Sequence, residues 1–381
     1  MWIVAWSDSY FFWLGALILC FFLSTFSPAA LVLTQMFDSM DPAWFYSFDT
    51  LLGVVGWLSI GFAMLSDLME PEDRAASFGV FLGFFYVGYC LGPSLSLVMS
   101  HFFVSVAAFG CYVFALLFVL VILPETIPRD VTERNQRILQ QQRQQQQQTR
   151  RDYLSLIIQP IKEVSILTRT KFLLLLTGAT FLCGIVFSAD ATLVLYYIEN
   201  QLNVRDADLA AMFAFMGVFG VVVQAGLMQY LVALFGERDL LVIAFLAGTL
   251  HNFLYGVARS KALIYVALCL AQISKINFIL ISSVASTHVN RFEQGRIQGA
   301  IFAVTAVANA VGPEILQIVY RFTKQSFGPG TMFIFASLTC FVGAILVSQL
   351  PRDASVQETA ETDDGDEDNE IGGLEEPLLQ A

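Results

Sequence analysis

Lys275 is a charge in an expensive place. It falls within a predominantly apolar run over residues 262–286, with Gln272 and Asn277 beside it. A cation in such surroundings does one of two jobs: it handles charge for a solute or a proton, or it locks two helices through an ion pair. Either job calls for a carboxylate in a neighbouring run, and Asp190 and Glu314 are the candidates. Gln224, Gln229, Asn309 and Gln317 lie in similar runs, where side-chain amides tie helix to helix or meet a ligand. Both readings stay open for each of these groups.

Other chemistries find little support. His101, His251 and His288 fall in separate segments. Cys20, Cys90, Cys111, Cys183, Cys269 and Cys340 all sit in apolar runs, and none has a neighbour at metal-ligand spacing. No nucleophile elbow, phosphate loop or His/Cys/Asp cluster appears, so neither an enzyme nor a metal or cofactor site is expected.

The elements that must position Lys275 follow from hydropathy. The 381 residues are 56% hydrophobic and 14% charged, whereas soluble domains run near 45–50% and about 25%. Apolar runs of about 20 residues recur between short polar loops, the length a helix needs to cross about 30 Å of hydrocarbon. Ten spans are expected, near 10–33, 44–65, 75–99, 104–123, 171–198, 209–233, 239–258, 262–286, 297–320 and 330–350. They make an all-α membrane protein in two halves: four spans in residues 1–124 and six in 171–351.

Residues 125–170 form a polar connection with the Gln-rich run Gln140–Gln148, and Tyr153–Thr168 within it has the pattern of a short interfacial helix. The connection carries Arg129, Arg134, Arg137, Arg143, Arg150, Arg151, Lys162 and Arg169. Basic loops stay in the cytoplasm, so this connection and both termini are expected there. The net charge of −12 belongs mostly to residues 352–381, where eleven acidic residues face the single base Arg352. A solvated acidic tail and no basic surface make nucleic-acid binding an unsuitable reading. Near the tail's end, Glu375, Glu376, Leu378 and Leu379 resemble an acidic dileucine sorting signal that an adaptor would read.

An internal repeat decides the architecture. Asp73–Gly79 (DRAASFG) and Glu293–Gly299 (EQGRIQG) each open a span after a charged loop. Gly88 and Ala308 follow at the same interval, then Gly92-Pro93 and Gly312-Pro313, all offset by 220 residues. Two parallel copies of one unit are implied. Gly79, Gly83, Gly88 and Gly92 recur every four or five residues, the spacing that lets a second helix approach closely. Pro93 and Pro313 each remove one backbone hydrogen bond near the far end of the helix. Plain helix packing and a bent, rocking helix both fit.

These residues also carry a resemblance. The pattern from Gly79 through Gly88 to Gly92-Pro93 looks like the antiporter motif of the fifth span of major-facilitator drug/proton exchangers. Asp67, Asp73 and Arg74 resemble the loop before that span, and EQGRIQG resembles the opening of the eleventh span in the tetracycline-efflux-like group. From about residue 10 to 350 the pattern resembles the hippocampus-abundant-transcript-like branch of solute carriers. Residues 10–33 then align with the third span of that pattern, leaving its first two spans without a counterpart here. Ser96 and Leu97 replace a usual pair of glycines, and Phe48-Asp49-Thr50 lacks the arginine linked to proton coupling in drug exchangers. The resemblance implies a major-facilitator-type bundle that moves a small organic solute across the lipid bilayer by alternating access, with protons as a conceivable coupling ion. A carrier-like protein that binds or traffics without transporting is the alternative.

Overall fold

The computed structural model describes residues 13–37, 40–41, 43–52, 56–123, 164–202, 204–290 and 293–351. The Gln-rich run, the acidic tail and the dileucine-like residues Glu375, Glu376, Leu378 and Leu379 lie outside the described residues. Every regular element among those described is a helix, as hydrocarbon demands when each backbone group must be satisfied within its own segment. Large apolar side chains such as Phe84, Phe114 and Leu234 are exposed on the outer surface. That inversion of the soluble pattern suits a lipid solvent, and the protein is an integral, multi-pass membrane protein.

Four spans of the first half are resolved in six helices. The first is α1 (Trp13–Ser24) continued by α2 (Phe26–Met36) across Thr25. The second, expected as one span over 44–65, is two short helices, α3 (Ala43–Leu52) and α4 (Trp57–Leu68). Gly56, at φ −94° and ψ 63°, begins α4 outside helical geometry, and glycine's weak helix propensity accounts for a break there. Two uninterrupted helices follow, α5 (Arg74–Ser96) and α6 (His101–Val121).

The second half opens with a 3-10 turn at Ser165–Thr168, which buries Ile166 and Leu167. The expected interfacial helix is therefore only this buried turn within the described residues. Then come α7 (Lys171–Leu202), α8 (Asp206–Val221), a π-helical turn over Val222–Leu227, and α9 (Met228–Val257). The sixth and seventh spans, expected with a loop between them, are joined through a single residue instead. Gly236 takes φ 74° and ψ 158°, a conformation open essentially to glycine alone, and turns the chain in one step. Next are α10 (Lys261–Ser274) and α11 (Ile276–Thr287), one span that continues through Lys275 in helical geometry, its N–H bonded to Ala271 O at 3.0 Å. α12 (Gln294–Thr323) and α13 (Thr331–Ser348) complete the bundle. Up-and-down connectivity puts the starts of α5, α7 and α12 and the end of α11 at one end of the bundle, the linker side.

The repeat is visible in position and in packing. α5 begins at Arg74 and α12 at Gln294, again 220 residues apart. In the first copy, a methyl group at Gly79 would fall 2.4 Å from the Gln224 carbonyl oxygen, and one at Gly83 would fall 2.6 Å from Ala225 Cβ. The π turn after α8 thus lies directly on α5. In the second copy, a methyl at Gly312 would meet the Ile185 carbonyl oxygen at 2.4 Å, and one at Gly184 would meet Ala308 Cβ at 2.6 Å. Gly299 is buried as well. Gly88 and Gly92, the counterparts of Ala308 and Gly312, have no described atom within 4 Å of such a methyl. Only the first half of the expected glycine groove on α5 is filled.

The halves meet through aromatic rings and, at the linker side, through Arg74; the other polar bonds there tie the second half together. Phe62 of α4 stacks on Phe78 of α5 at 4.3 Å and reaches Phe278 of α11 and Phe302 of α12 at 5.6 and 6.2 Å. Arg74 is only 6% exposed, and its Nη1 donates to Ser286 O at 3.1 Å and Ser286 Oγ at 3.2 Å. Gln294 Nε2 donates to the same Ser286 carbonyl at 2.9 Å, and Gln298 Nε2 to Ser282 O at 3.0 Å. The two glutamines, one turn apart, rung α12 to α11. Arg169 grips Glu293 with both nitrogens at 2.8 and 2.7 Å.

Candidate functional site

A cavity of 340 Å³ opens at mid-depth between the halves. Leu58, Leu82, Phe85 and Tyr86 face it from α4 and α5; α7, α9, α10, α11, α12 and α13 supply the rest. Lys275 lines it from the junction of α10 and α11. Its Nζ stands 5.6 Å from the centre of the Tyr86 ring and 5.9 Å from that of Phe187. Both distances are within cation–π range, and rings from two halves therefore share one ammonium.

Polar groups on the wall are sparse. Asn277 is 1% exposed, and its Oδ1 has no hydrogen-bond partner among the described residues. Asn309 Oδ1 is in the same state, while its backbone carbonyl accepts from Ser188 Oγ at 2.7 Å. His251 lines the floor with Nε2 at 3.1 Å from Asn252 Nδ2. Among the described lining residues there is no Asp or Glu.

The residues singled out from sequence separate into three groups. Lys275 and Asn277 come together on the cavity wall. Gln224 and Gln272 are fully buried behind it: a methyl at Gly220 would lie 3.1 Å from Gln272 Oε1, so these amides sit along the α5–α8 seam. Glu314 is exposed on α12 and is not among the lining residues, and the side chain of Asp190 lies outside the described residues. Of the loop residues, Arg74 is buried in the inter-half contact, Asp67 is half-buried and Asp73 is exposed. The sequence reading missed the aromatic wall, Phe85, Tyr86, Phe187, Phe278 and Phe302, because 35 phenylalanines in apolar runs carry no mark of which face turns inward. Tyr86 had a signal: a hydroxyl inside the glycine motif, two residues before Gly88.

Two packed halves with a cavity between them can be compared with known proteins. A family model described as Major Facilitator Superfamily matches residues 2–313. The chain belongs to the Major Facilitator Superfamily. Among the relatives of this facilitator-superfamily chain is the human Hippocampus abundant transcript-like protein 1, 22% identical over 90% of the chain and 71% of that protein. Tetracycline resistance protein, class D, from Salmonella ordonez is 22% identical over 48% of the chain and 46% of its own length. The human organic anion transporter MFSD10 (TETRAN) shares the fold at a TM-score of 0.75 and 20% identity, covering 91% of this chain and 79% of that one. The E. coli fucose:proton symporter superposes at 0.64 with 14% identity, over 92% and 87%. At such identities these structures establish the facilitator fold alone.

Proposed function

We propose that this protein is a secondary carrier of a small organic solute, working by rocking its two halves about the mid-depth cavity. One observation carries the reading: the cavity walls come from both copies of the repeat, so a movement of either half reshapes it. Closure at the linker side by Arg74 and its bonds to Ser286 supplies one end state, in which that end is shut. Both termini are proposed to be cytoplasmic, from the basic connection, and proton coupling is a further element of the proposal. The test is flux: purified full-length protein in liposomes, with a panel of radiolabelled organic anions, sugars and amines inside or outside. Saturable movement of at least one solute supports the carrier reading. No protein-dependent flux of any of them rejects it, and flux indifferent to an imposed pH gradient rejects proton coupling.

A further inference from the structure

The lining of the cavity is divided unequally between the two halves, and the division narrows the cargo. We propose that Asn277 and Asn309 read a hydroxyl group on the solute, whose opposite, apolar and ring-sized end rests on the first half. Transport of such a solute rests on the carrier reading; its recognition does not.

Among the described lining residues, the first half supplies only Leu58, Leu82, Phe85 and Tyr86. Apart from the tyrosine hydroxyl these carry no polar group, and flat or branched apolar bodies favour such a wall. Both side-chain amides on the lining, Asn277 of α11 and Asn309 of α12, belong to the second half. A solute polar all over would leave its own hydroxyls unmatched at Leu58 and Leu82. A hydrocarbon would leave the amides unmatched. An amphipathic solute satisfies both sides at once.

The two amides have bonding capacity unspent. Asn277 is 1% exposed, and neither its Oδ1 nor that of Asn309 has a hydrogen-bond partner among the described residues. Buried oxygens in that state cost free energy until a donor arrives. The hydroxyls on the same wall are already committed. Thr180 Oγ1 donates to Leu176 O at 2.8 Å and Thr305 Oγ1 to Ile301 O at 2.9 Å, each within its own helix. The Cys183 thiol neighbours the Asn277 amide, and sulfur bonds only weakly as donor or acceptor.

A hydroxyl suits this pair. Which end of an amide is oxygen is an assignment from the surrounding bonds. A hydroxyl donates and accepts, and so answers either orientation. Both asparagines are neutral, so the preference does not depend on a charge on the solute. A group that cannot repeat water's bonds to the two amides loses affinity on entering. At 340 Å³ the cavity has room for one ring with a short hydroxylated chain and not for a peptide.

Calorimetry on the full-length protein in lipid nanodiscs, with empty nanodiscs subtracted, tests this with 3-phenylpropane-1,2-diol, its dimethyl ether and propane-1,2-diol. The phenyl diol should bind roughly 10-fold tighter than its ether, which accepts but cannot donate. It should bind at least about 30-fold tighter than propanediol, which has no ring to bury. Asn277→Leu and Asn309→Leu should each cut the diol-to-ether ratio at least about 3-fold while still binding the ether, and that retained binding reports an intact fold. Leu82→Ala should weaken diol and ether alike. The wild-type ranking needs no variant, so a misfolded mutant does not rescue the idea. An ether as tight as the diol overturns the assignment, as does propanediol matching the phenyl diol. A diol-to-ether ratio unchanged in both asparagine variants, or binding of none of the probes, overturns it too. Phenyl diol binding without flux in liposomes would sink the carrier reading and leave the recognition standing. Flux of a sugar with no binding of the phenyl diol would do the reverse.

Discussion

Arg74 and Gln294 occupy equivalent positions in the two copies of the repeat, and both donate to one acceptor, the carbonyl oxygen of Ser286, at 3.1 and 2.9 Å. Arg74 reaches that oxygen from the first half, whereas Gln294 and Ser286 both belong to the second, so of the two bonds only that of Arg74 fastens the halves. Ser286 lies in the last turn of α11, whose carbonyls carry the negative pole of the helix. A guanidinium there gains from both the bond and the dipole.

Removing the fastening should loosen the linker side. Arg74→Ala is expected to cost about 1.5–3 kcal/mol and Gln294→Ala about 0.5–1.5 kcal/mol, the usual range for charged and neutral bonds. Because the acceptor is shared, the double variant should depart from the sum by more than about 0.5 kcal/mol. Melting of the three variants in one detergent measures this. Additive losses would mean that the two donors act independently.

The glycines of the repeat should respond unequally. Gly79→Ala and Gly312→Ala each push a methyl to 2.4 Å from a backbone oxygen, and backbone cannot swing aside. Losses of about 1–3 kcal/mol are expected from overpacking. Gly88→Ala and Gly92→Ala meet open space in the described structure and gain helix propensity, up to about 1 kcal/mol each. Comparing the melting temperatures of the four variants of this chain decides the matter. Equal penalties at all four positions would contradict the packing seen here.

Gly236 is the only positive-φ residue within a helical segment among those described, at 74°. Gly236→Ala should cost about 1–3 kcal/mol by strain alone, since a Cβ there meets no neighbour within 4 Å. A thermal melt indistinguishable from wild type would show that the chain can turn by another route.

One titration at the linker side belongs to the Arg169–Glu293 pair. The Arg169 bond holds the Glu293 carboxyl below the usual carboxylate range and raises Arg169 in turn. A depressed acid stabilises the fold above its unfolded value and loses that contribution as pH falls through the folded one, so this latch acts at neutral pH and fails only in strong acid. With Arg169 half exposed it is worth no more than about 1 kcal/mol.

His288 works in a different window. Burial lowers its pKa, and its ring stacks on Phe172 at 3.8 Å. The neutral form is the one the fold prefers, so stability is complete above about pH 6.5 and declines as pH drops below it. Melts at pH 7.5 and 5.5 should differ in wild type, with a smaller difference in His288→Gln. Glu293→Gln should leave that interval unchanged. An unaltered drop in His288→Gln would assign the effect elsewhere.

Sequence alone determined the elements whose cause is local. Runs of about 20 apolar residues fix that helices cross the membrane, because backbone groups in hydrocarbon have no other solution. The 220-residue repeat fixes that α5 and α12 are equivalent, since landmarks in register report common descent of one packing unit. Lys275 and Asn277 were legible because polar groups in apolar runs are rare enough to stand out. The non-helical start at Gly56 and the one-residue turn at Gly236 were not legible, because hydropathy averages over single residues.

Tertiary structure decided everything that depends on which face a side chain turns. It took five aromatic residues out of an undifferentiated apolar background and set them around the cavity that Lys275 lines. It sent Gln224 and Gln272 into a helix seam and left Glu314 exposed, though all three stood as candidates in apolar runs. It also gave Arg74 and Gln294 a common acceptor, a relation between positions 220 apart that no local pattern encodes. The physical reason is common to these cases: in a span that is apolar all round, burial direction is set by the neighbouring helix and not by the helix's own residues.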